Sequence, residues 1–430
     1  MYRGRAKAFL GDIKVGDRVR VKRGGRVIEG IVMPRSELGD EEHIVVKLDN
    51  GYNMGFLIDD IEIELLSRGE KKEAAREESR LGEASEKPVV TILGTGGTIA
   101  SKIDYSTGAV HPAFSVAELT RAIPELTQLA NIKTKLLFNI LSENMTPEHW
   151  RVIARECAAQ LNHGAAGVVI AHGTDTLAYT SAALSFMLKN LCKPVVLVGS
   201  QRSSDRPSSD SAMNLLAAVK TATSDLGEVV VVMHASPEDT YCLIHRGTRV
   251  RKMHSSRRDA FRSINALPLG RVAEKVEFYG EHRKRGKGRV KVDDKLEERV
   301  ALVKMYPGFD AELMAYYINN YKGIVIEGTG LGHTPTKLIE EIKRGCDSGV
   351  PIVMTTQTLY GRVDMKVYST GRKLLAAGVI PGGYMLPEVA LVKLMYALGH
   401  TQKPEEVRKI MLTNLAGELS ETSSVDAFLR

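Results

Sequence analysis

Val89-Val90-Thr91-Ile92-Leu93-Gly94-Thr95-Gly96-Gly97-Thr98-Ile99-Ala100-Ser101 runs from an apolar stretch straight into a glycine turn. Val89–Leu93 reads as a buried parallel strand, because such a strand is covered on both faces and needs no polar alternation. A strand that ends in glycines delivers its next residues to the carboxyl edge of a sheet, where open α/β folds keep their sites. The glycines let backbone approach a ligand closely, and Thr98 follows them directly with a hydroxyl. A phosphate loop does not fit. GxGxxG lacks its third glycine in register, and no Lys-Ser/Thr follows for GxxxxGK[ST].

Three further stretches extend the theme. Ala166-Gly167-Val168-Val169-Ile170-Ala171 is a second buried-strand run, ending in His172-Gly173-Thr174-Asp175-Thr176, again a hydroxyl after glycine but now with a carboxylate beside it. Leu141-Ser142-Glu143-Asn144-Met145 precedes a helix that Thr146 caps, with Pro147 at its first position. Gly247-Thr248-Arg249-Val250-Arg251-Lys252 follows the strand Glu228-Val229-Val230-Val231-Val232-Met233.

These four motifs, in this order, resemble the L-asparaginase/glutaminase family over roughly residues 88 to 415. The resemblance implies that Thr98 attacks a side-chain amide carbonyl and that Thr174, Asp175 and Lys252 support it. Tyr105, on the loop after Thr98, corresponds to a tyrosine of a mobile lid that helps activate the nucleophile. Gly97, Gly173, Ser142 and Glu143 fall on substrate-binding positions; Glu143 stands where many relatives carry glutamine.

The residue types suit this chemistry. A threonine hydroxyl is a weak nucleophile and needs a base nearby. A desolvated lysine beside other cations can give up its proton, and Lys252 lies next to Arg249 and Arg251. The Thr174 N–H suits a developing oxyanion, Asp175 the α-ammonium of an amino acid, and Ser142 with neighbouring N–H groups its α-carboxylate. Simpler assignments stand beside these. Thr174 can be a helix cap, Asp175 a partner of the helix dipole, and Lys252 one more solvated charge. His172 reads as a packed strand-end histidine.

The chain has 430 residues, enough for two or three domains, with 43% hydrophobic and 26% charged residues. No apolar run approaches the ~18 residues that span a bilayer. The N-terminus MYRGRAKAFLGDIKVG lacks the apolar core of a signal peptide, and Cys157, Cys192, Cys242 and Cys346 follow no CxxC or metal spacing. A cytoplasmic protein with reduced thiols and no metal site is expected. Charge is uneven: 15 Lys/Arg against 4 Asp/Glu lie between Ile244 and Lys291, so the remainder of this +7 chain is slightly acidic. Such an excess suits a polyanion or, equally, a solvated connector with some interface arginines.

Residues 1–66 read as a small all-β, SH3-like barrel of about five strands, from Asp17-Arg18-Val19-Arg20-Val21-Lys22 to Ile61-Glu62-Ile63-Glu64-Leu65. Residues 67–87 form a charged linker with Leu81 as its one large apolar residue. From Pro88 onward strands and helices alternate. This predicts an α/β architecture of two doubly wound parallel-sheet domains of asparaginase type, at 88–270 with the active site and at 299–430, joined by a basic connector, 271–298.

A plain asparaginase needs no barrel, tether or arginine-rich connector. These, with Gly199-Ser200-Gln201-Arg202-Ser203-Ser204-Asp205-Arg206-Pro207-Ser208-Ser209-Asp210 and Pro381-Gly382-Gly383-Tyr384-Met385-Leu386-Pro387, resemble the D-subunit family of archaeal glutamyl-tRNA(Gln) amidotransferases. That resemblance implies a glutaminase acting on L-glutamine. It passes ammonia to an E-type subunit, which uses ATP and Mg to convert Glu-tRNA(Gln) to Gln-tRNA(Gln). It also implies a homodimer through the asparaginase-like domains, within a heterotetramer that meets the tRNA through the complex. No cofactor is expected in this chain. The rival readings are a stand-alone cytoplasmic L-asparaginase and a non-catalytic binding module whose threonines serve as caps.

Overall fold

The computed structural model describes residues 2–33, 40–49, 53–69, 87–96, 101–103, 110–112, 123–202 and 209–428. The expected linker lies almost wholly outside them, as do Gly97, Thr98 and Tyr105.

At the N-terminal end five antiparallel strands form one sheet in the order Asn53–Leu57, His43–Leu48, Arg26–Val32, Arg18–Arg23, Glu62–Ser67. Gly24 and Gly25, at φ +54 and +79, make the two-residue turn that pairs Arg23 with Arg26. Alternation aims Val19, Val21, Ile44, Val46 and Phe56 into one core. A helix that the sequence pattern does not announce, Gly4–Leu10, adds Ala6 and Leu10 to it. Its seven residues span barely two turns and carry too little periodicity to stand out.

The first α/β unit is built on an eight-stranded sheet. Its order is Val276–Phe278, Gly270–Val272, Cys242–Arg246, Val229–His234, Val195–Val198, Gly167–Ala171, Val89–Gly94, Asn131–Leu136. The last five are parallel, and the first three run antiparallel to their neighbours. The parallel sheet expected from the sequence is present as these five strands, and the three antiparallel strands extend it at one edge. The short strands Gly270–Val272 and Val276–Phe278, three residues each, are too brief to register as elements. They lie at the start of the stretch read as connector. The rest of that stretch is docked: Arg151 and Arg155, on the helix Pro147–Asn162, pair with Glu298 and Asp294 at 2.7 Å, and Tyr396 donates to Asp293 at 2.6 Å.

The second unit has four parallel strands in the order Val300–Lys304, Gly323–Gly328, Ile352–Thr356, Ile380–Pro381. Between the units lies the helix Pro387–His400, apolar on nearly all sides, packed on the buried helix Leu177–Met187 of the first unit. Helices hydrophobic all round belong in an interior. One core cluster accordingly contains Leu177, Phe186, Val250 and Phe261 together with Val325, Val353, Val389 and Leu394. Each fully buried side chain of this size contributes about 1.5–3 kcal/mol, so burial along this seam holds the two units together. Among the described residues no helix is long and apolar enough to cross a membrane.

Candidate active site

Strands Val89–Gly94 and Gly167–Ala171 are parallel neighbours, with Gly94 opposite Ala171. The two glycine-threonine runs therefore leave the sheet side by side at its carboxyl edge. Thr95 is buried and anchors the first run, its N–H and its hydroxyl both donating to Ala171 O at 3.1 Å. Gly96 follows at φ +108, and a Cβ there would lie 2.1 Å from Ile140 O, so no other residue fits. Gly97 and Thr98 come next in the chain and lie outside the described residues.

In the second run Thr174 Oγ1 accepts a hydrogen bond from Lys252 Nζ at 2.8 Å, and Asp175 Oδ1 accepts another from the same nitrogen at 2.8 Å. Three of the expected site residues, 78 residues apart at their extremes, thus meet around the side-chain nitrogen of Lys252. The Lys252 side chain is 14% exposed and that of Asp175 66%. Asp175 therefore stands mostly in solvent while Lys252 is largely covered. Thr174 is not the helix cap: Leu177–Met187 starts after Thr176, whose hydroxyl donates to Ser142 O at 2.7 Å. The two arginines flanking Lys252 turn elsewhere. Arg249 donates to Gly417 O at 2.8 Å, and Arg251 faces Glu388 at 3.5 Å.

Ser142 is buried on a short turn, Ser142–Asn144, against Gly173, where a Cβ would come 2.7 Å from Ser142 Cβ. Glu143 sits exposed on the same turn. His172 is the packed histidine its sequence context suggests. Trp150 Nε1 donates to Thr180 Oγ1 at 3.0 Å, and His172 Nε2 lies 2.9 Å from the same oxygen. Its Nδ1 donates to Gly173 O at 2.6 Å. Burial pushes the imidazole down to about 4, so it is neutral and fixes the Gly173 carbonyl rather than moving protons.

Sequence reading missed what stands behind Thr174. Gly199 ends the strand Val195–Val198, and a Cβ on it would lie 2.6 Å from Thr174 Cγ2. Asp210, fully buried, holds the turn after Gly199 by accepting from Ser200 Oγ, Gln201 N and Arg202 N at 2.9–3.1 Å. Asn214, one helical turn on, donates to Gly199 O at 3.0 Å and to Asp210 at 2.9 Å. An Asp and an Asn four apart at a helix start, shortly after a strand-ending glycine, were the available signal.

Comparison with known proteins agrees with this architecture. Residues 89–284 match the family model described as Asparaginase, N-terminal, and residues 299–411 the Glutaminase/Asparaginase C-terminal domain. Residues 13–66 match the GatD N-terminal domain. The chain is 60% identical over 426 residues to the D subunit of the glutamyl-tRNA(Gln) amidotransferase of Pyrococcus furiosus, covering 97% of both chains. It is 52% identical to the corresponding subunit of Methanothermobacter thermautotrophicus, covering 99% of both. Among solved structures, the thermostable L-asparaginase of Thermococcus kodakarensis superposes with a TM-score of 0.71 at 38% identity, over 78% of this chain and 100% of that one. L-asparaginase I of Vibrio cholerae gives 0.69 at 32%, over 78% and 99%.

Proposed function

Since the chain belongs to the D-subunit family of glutamyl-tRNA(Gln) amidotransferases, we propose that it is the glutaminase subunit of such an enzyme. It hydrolyses L-glutamine and hands the ammonia to an E-type partner. That partner, using ATP and Mg, amidates Glu-tRNA(Gln). This chain carries no cofactor of its own, works in the cytoplasm, and pairs with a second copy through its asparaginase-like units to give a heterotetramer.

The observation that carries the reading is the double donation of Lys252 Nζ to Thr174 Oγ1 and Asp175 Oδ1 at 2.8 Å. It gives a base a defined path, through the Thr174 hydroxyl, into the space at the sheet edge. Thr98 Oγ1 adds to the side-chain carbonyl carbon of glutamine while its proton passes toward Lys252, helped by Tyr105. The Thr174 N–H steadies the oxyanion. The tetrahedral adduct expels ammonia, which takes a proton back, and leaves an ester on Thr98. Water then hydrolyses the ester by the same proton route. Asp175 and Glu143 face the α-ammonium of the substrate, and Ser142, with Gly97 and Gly173 giving close backbone approach, its α-carboxylate.

Much of the cationic excess is already paired within the chain. Arg246 pairs with Glu228, Arg257 and Arg262 with Asp259, Arg258 with Asp239, and Arg271 with Glu277. Arg285 donates to three backbone carbonyls. Arg283, Lys284, Lys287 and Arg289 line two adjoining hollows together with Lys189 and Lys193. The charge that remains for a polyanion in the complex is therefore local.

The test is ammonia release from glutamine by the chain alone and with its E-type partner, Glu-tRNA(Gln) and ATP. Stimulation with formation of Gln-tRNA(Gln) supports the reading. Fast partner-independent hydrolysis that prefers asparagine would replace it with a stand-alone asparaginase.

A further inference from the structure

Lys252 ends the strand Val250–Lys252, which pairs with Phe261–Ser263 in a two-stranded ribbon outside the large sheet. Ribbons of two strands are marginal by themselves, so something else must hold the lysine to the Thr174 hydroxyl. The contacts at the foot of the ribbon come from the second α/β unit. Thr248 Oγ1 donates to Ala416 O at 2.9 Å, and Arg249 Nε donates to Gly417 O at 2.8 Å. Thr248 and Arg249 are 1% and 3% exposed, so these bonds do not compete with water.

The segment that accepts them is itself locked. Glu418 and Lys393 form an ion pair at 2.6 Å with both side chains 0% exposed. The Glu418 carboxylate accepts from Leu415 N and Ala416 N at 2.9 and 2.7 Å, and Lys393 Nζ donates to Met411 O and Thr413 O at 3.0 and 2.6 Å. Gly417 sits at φ +79 with no room for a Cβ, which would lie 2.5 Å from Arg246 Cδ. A buried pair is seldom worth its desolvation as stability alone. This one directs its polar atoms to shaping a short loop whose two carbonyls face the lysine strand.

We propose that the segment Thr413–Glu418, shaped by the buried Lys393–Glu418 pair, positions Lys252, through Thr248 and Arg249, for proton transfer at Thr174. Lys393, Glu418 and Thr248 are positioning residues: they act through Lys252 and touch no substrate. The inference rests on the role given to Lys252 above.

The experiment measures glutamine hydrolysis, with the partner subunit present, for Thr248→Val, Thr248→Ser and the double variant K393M/E418Q, which removes both buried charges together. Displacement of a catalytic group by about 1 Å costs on the order of a hundredfold. The double variant is expected to lose kcat on that scale and T248V about tenfold, with KM within about twofold, as no substrate contact is lost. The acidic limb of the kcat–pH profile moves in both, and T248S restores it. Circular dichroism and thermal unfolding show that the loss exceeds any unfolded fraction. Unchanged kcat and pH profile in the folded variants, with Lys252→Ala inactive, would overturn the positioning alone. An active Lys252→Ala would remove the reading of the site and this proposal with it.

Discussion

The two α/β units present the same tripeptide at the same place and do different things with it. Gly94-Thr95-Gly96 follows a parallel strand in the first unit, and Gly328-Thr329-Gly330 follows one in the second. In the second unit the chain closes on itself: Thr329 N donates to His333 O at 2.9 Å and His333 N to Thr329 O at 3.0 Å. The threonine is consumed by a local turn. In the first unit Thr95 anchors to the neighbouring strand, and that neighbour's own threonine, Thr174, is met by a lysine from far along the chain. A glycine-threonine turn at a strand end is therefore a scaffold. A site arises where topology brings a charged partner to it.

That contrast can be broken by substitution. Lys252→Ala or Thr98→Ala should lower glutamine turnover by about a thousandfold or more while the fold persists, since residues acting as one unit fail together. Steady-state ammonia release checks this, and near-normal rates in either variant would remove that residue from the mechanism. Thr174→Val should approach the same loss, whereas Thr329→Val, at the equivalent edge of the other unit, should leave kcat/KM unchanged. Equal effects would mean that the second edge is functional too.

Glycines sharpen the comparison at a finer scale. Gly199→Ala drives a methyl to 2.6 Å from Thr174 Cγ2, and a fall of about ten- to a hundredfold in kcat/KM is expected from the displacement. Gly330→Ala meets nothing within 4 Å among the described residues and bears the strain of φ +52. Its expected cost is about 1 kcal/mol of stability with activity intact. Urea unfolding and kinetics on the same preparations separate the two.

A further effect, on stability rather than on turnover, concerns pH. His172 and His245 are buried, which pushes them down to about 4 and about 3. The unfolded chain takes up those protons near the ordinary histidine value of about 6.5, where the native chain does not. Stability is complete above about pH 6.5 and falls as pH drops toward 4, by about 1.4 kcal/mol per unit for each histidine. Urea midpoints at pH 7 and pH 5 test this. No change would show that these imidazoles reach solvent before the protein unfolds.

Much of this was legible beforehand because its signals are local. The apolar runs Val89–Leu93 and Ala166–Ala171 became the adjacent strands Val89–Gly94 and Gly167–Ala171, and Thr146-Pro147 opens its helix as the capping pattern requires. Strands of three residues were not legible, nor was the antiparallel return of Cys242–Arg246, because direction within a sheet is decided by contacts far apart in sequence. The run Gly199–Asp210 stood out as a motif, but the support that Gly199, Asp210 and Asn214 give Thr174 did not, because each residue is ordinary alone and matters through what it touches.

The sequence alone determined which residue types could do chemistry and that two of them would follow strand ends, since hydrophobic period and glycine placement act over a few residues. Only the tertiary structure decided that Lys252 would spend its donors on Thr174 and Asp175, that its flanking arginines would turn away, and that the second unit would grip its ribbon. Those outcomes depend on burial. Once the seam between the units excludes water, nearly all buried donors find acceptors, Arg249 Nη1 being an exception, and the positions of those acceptors are fixed by packing.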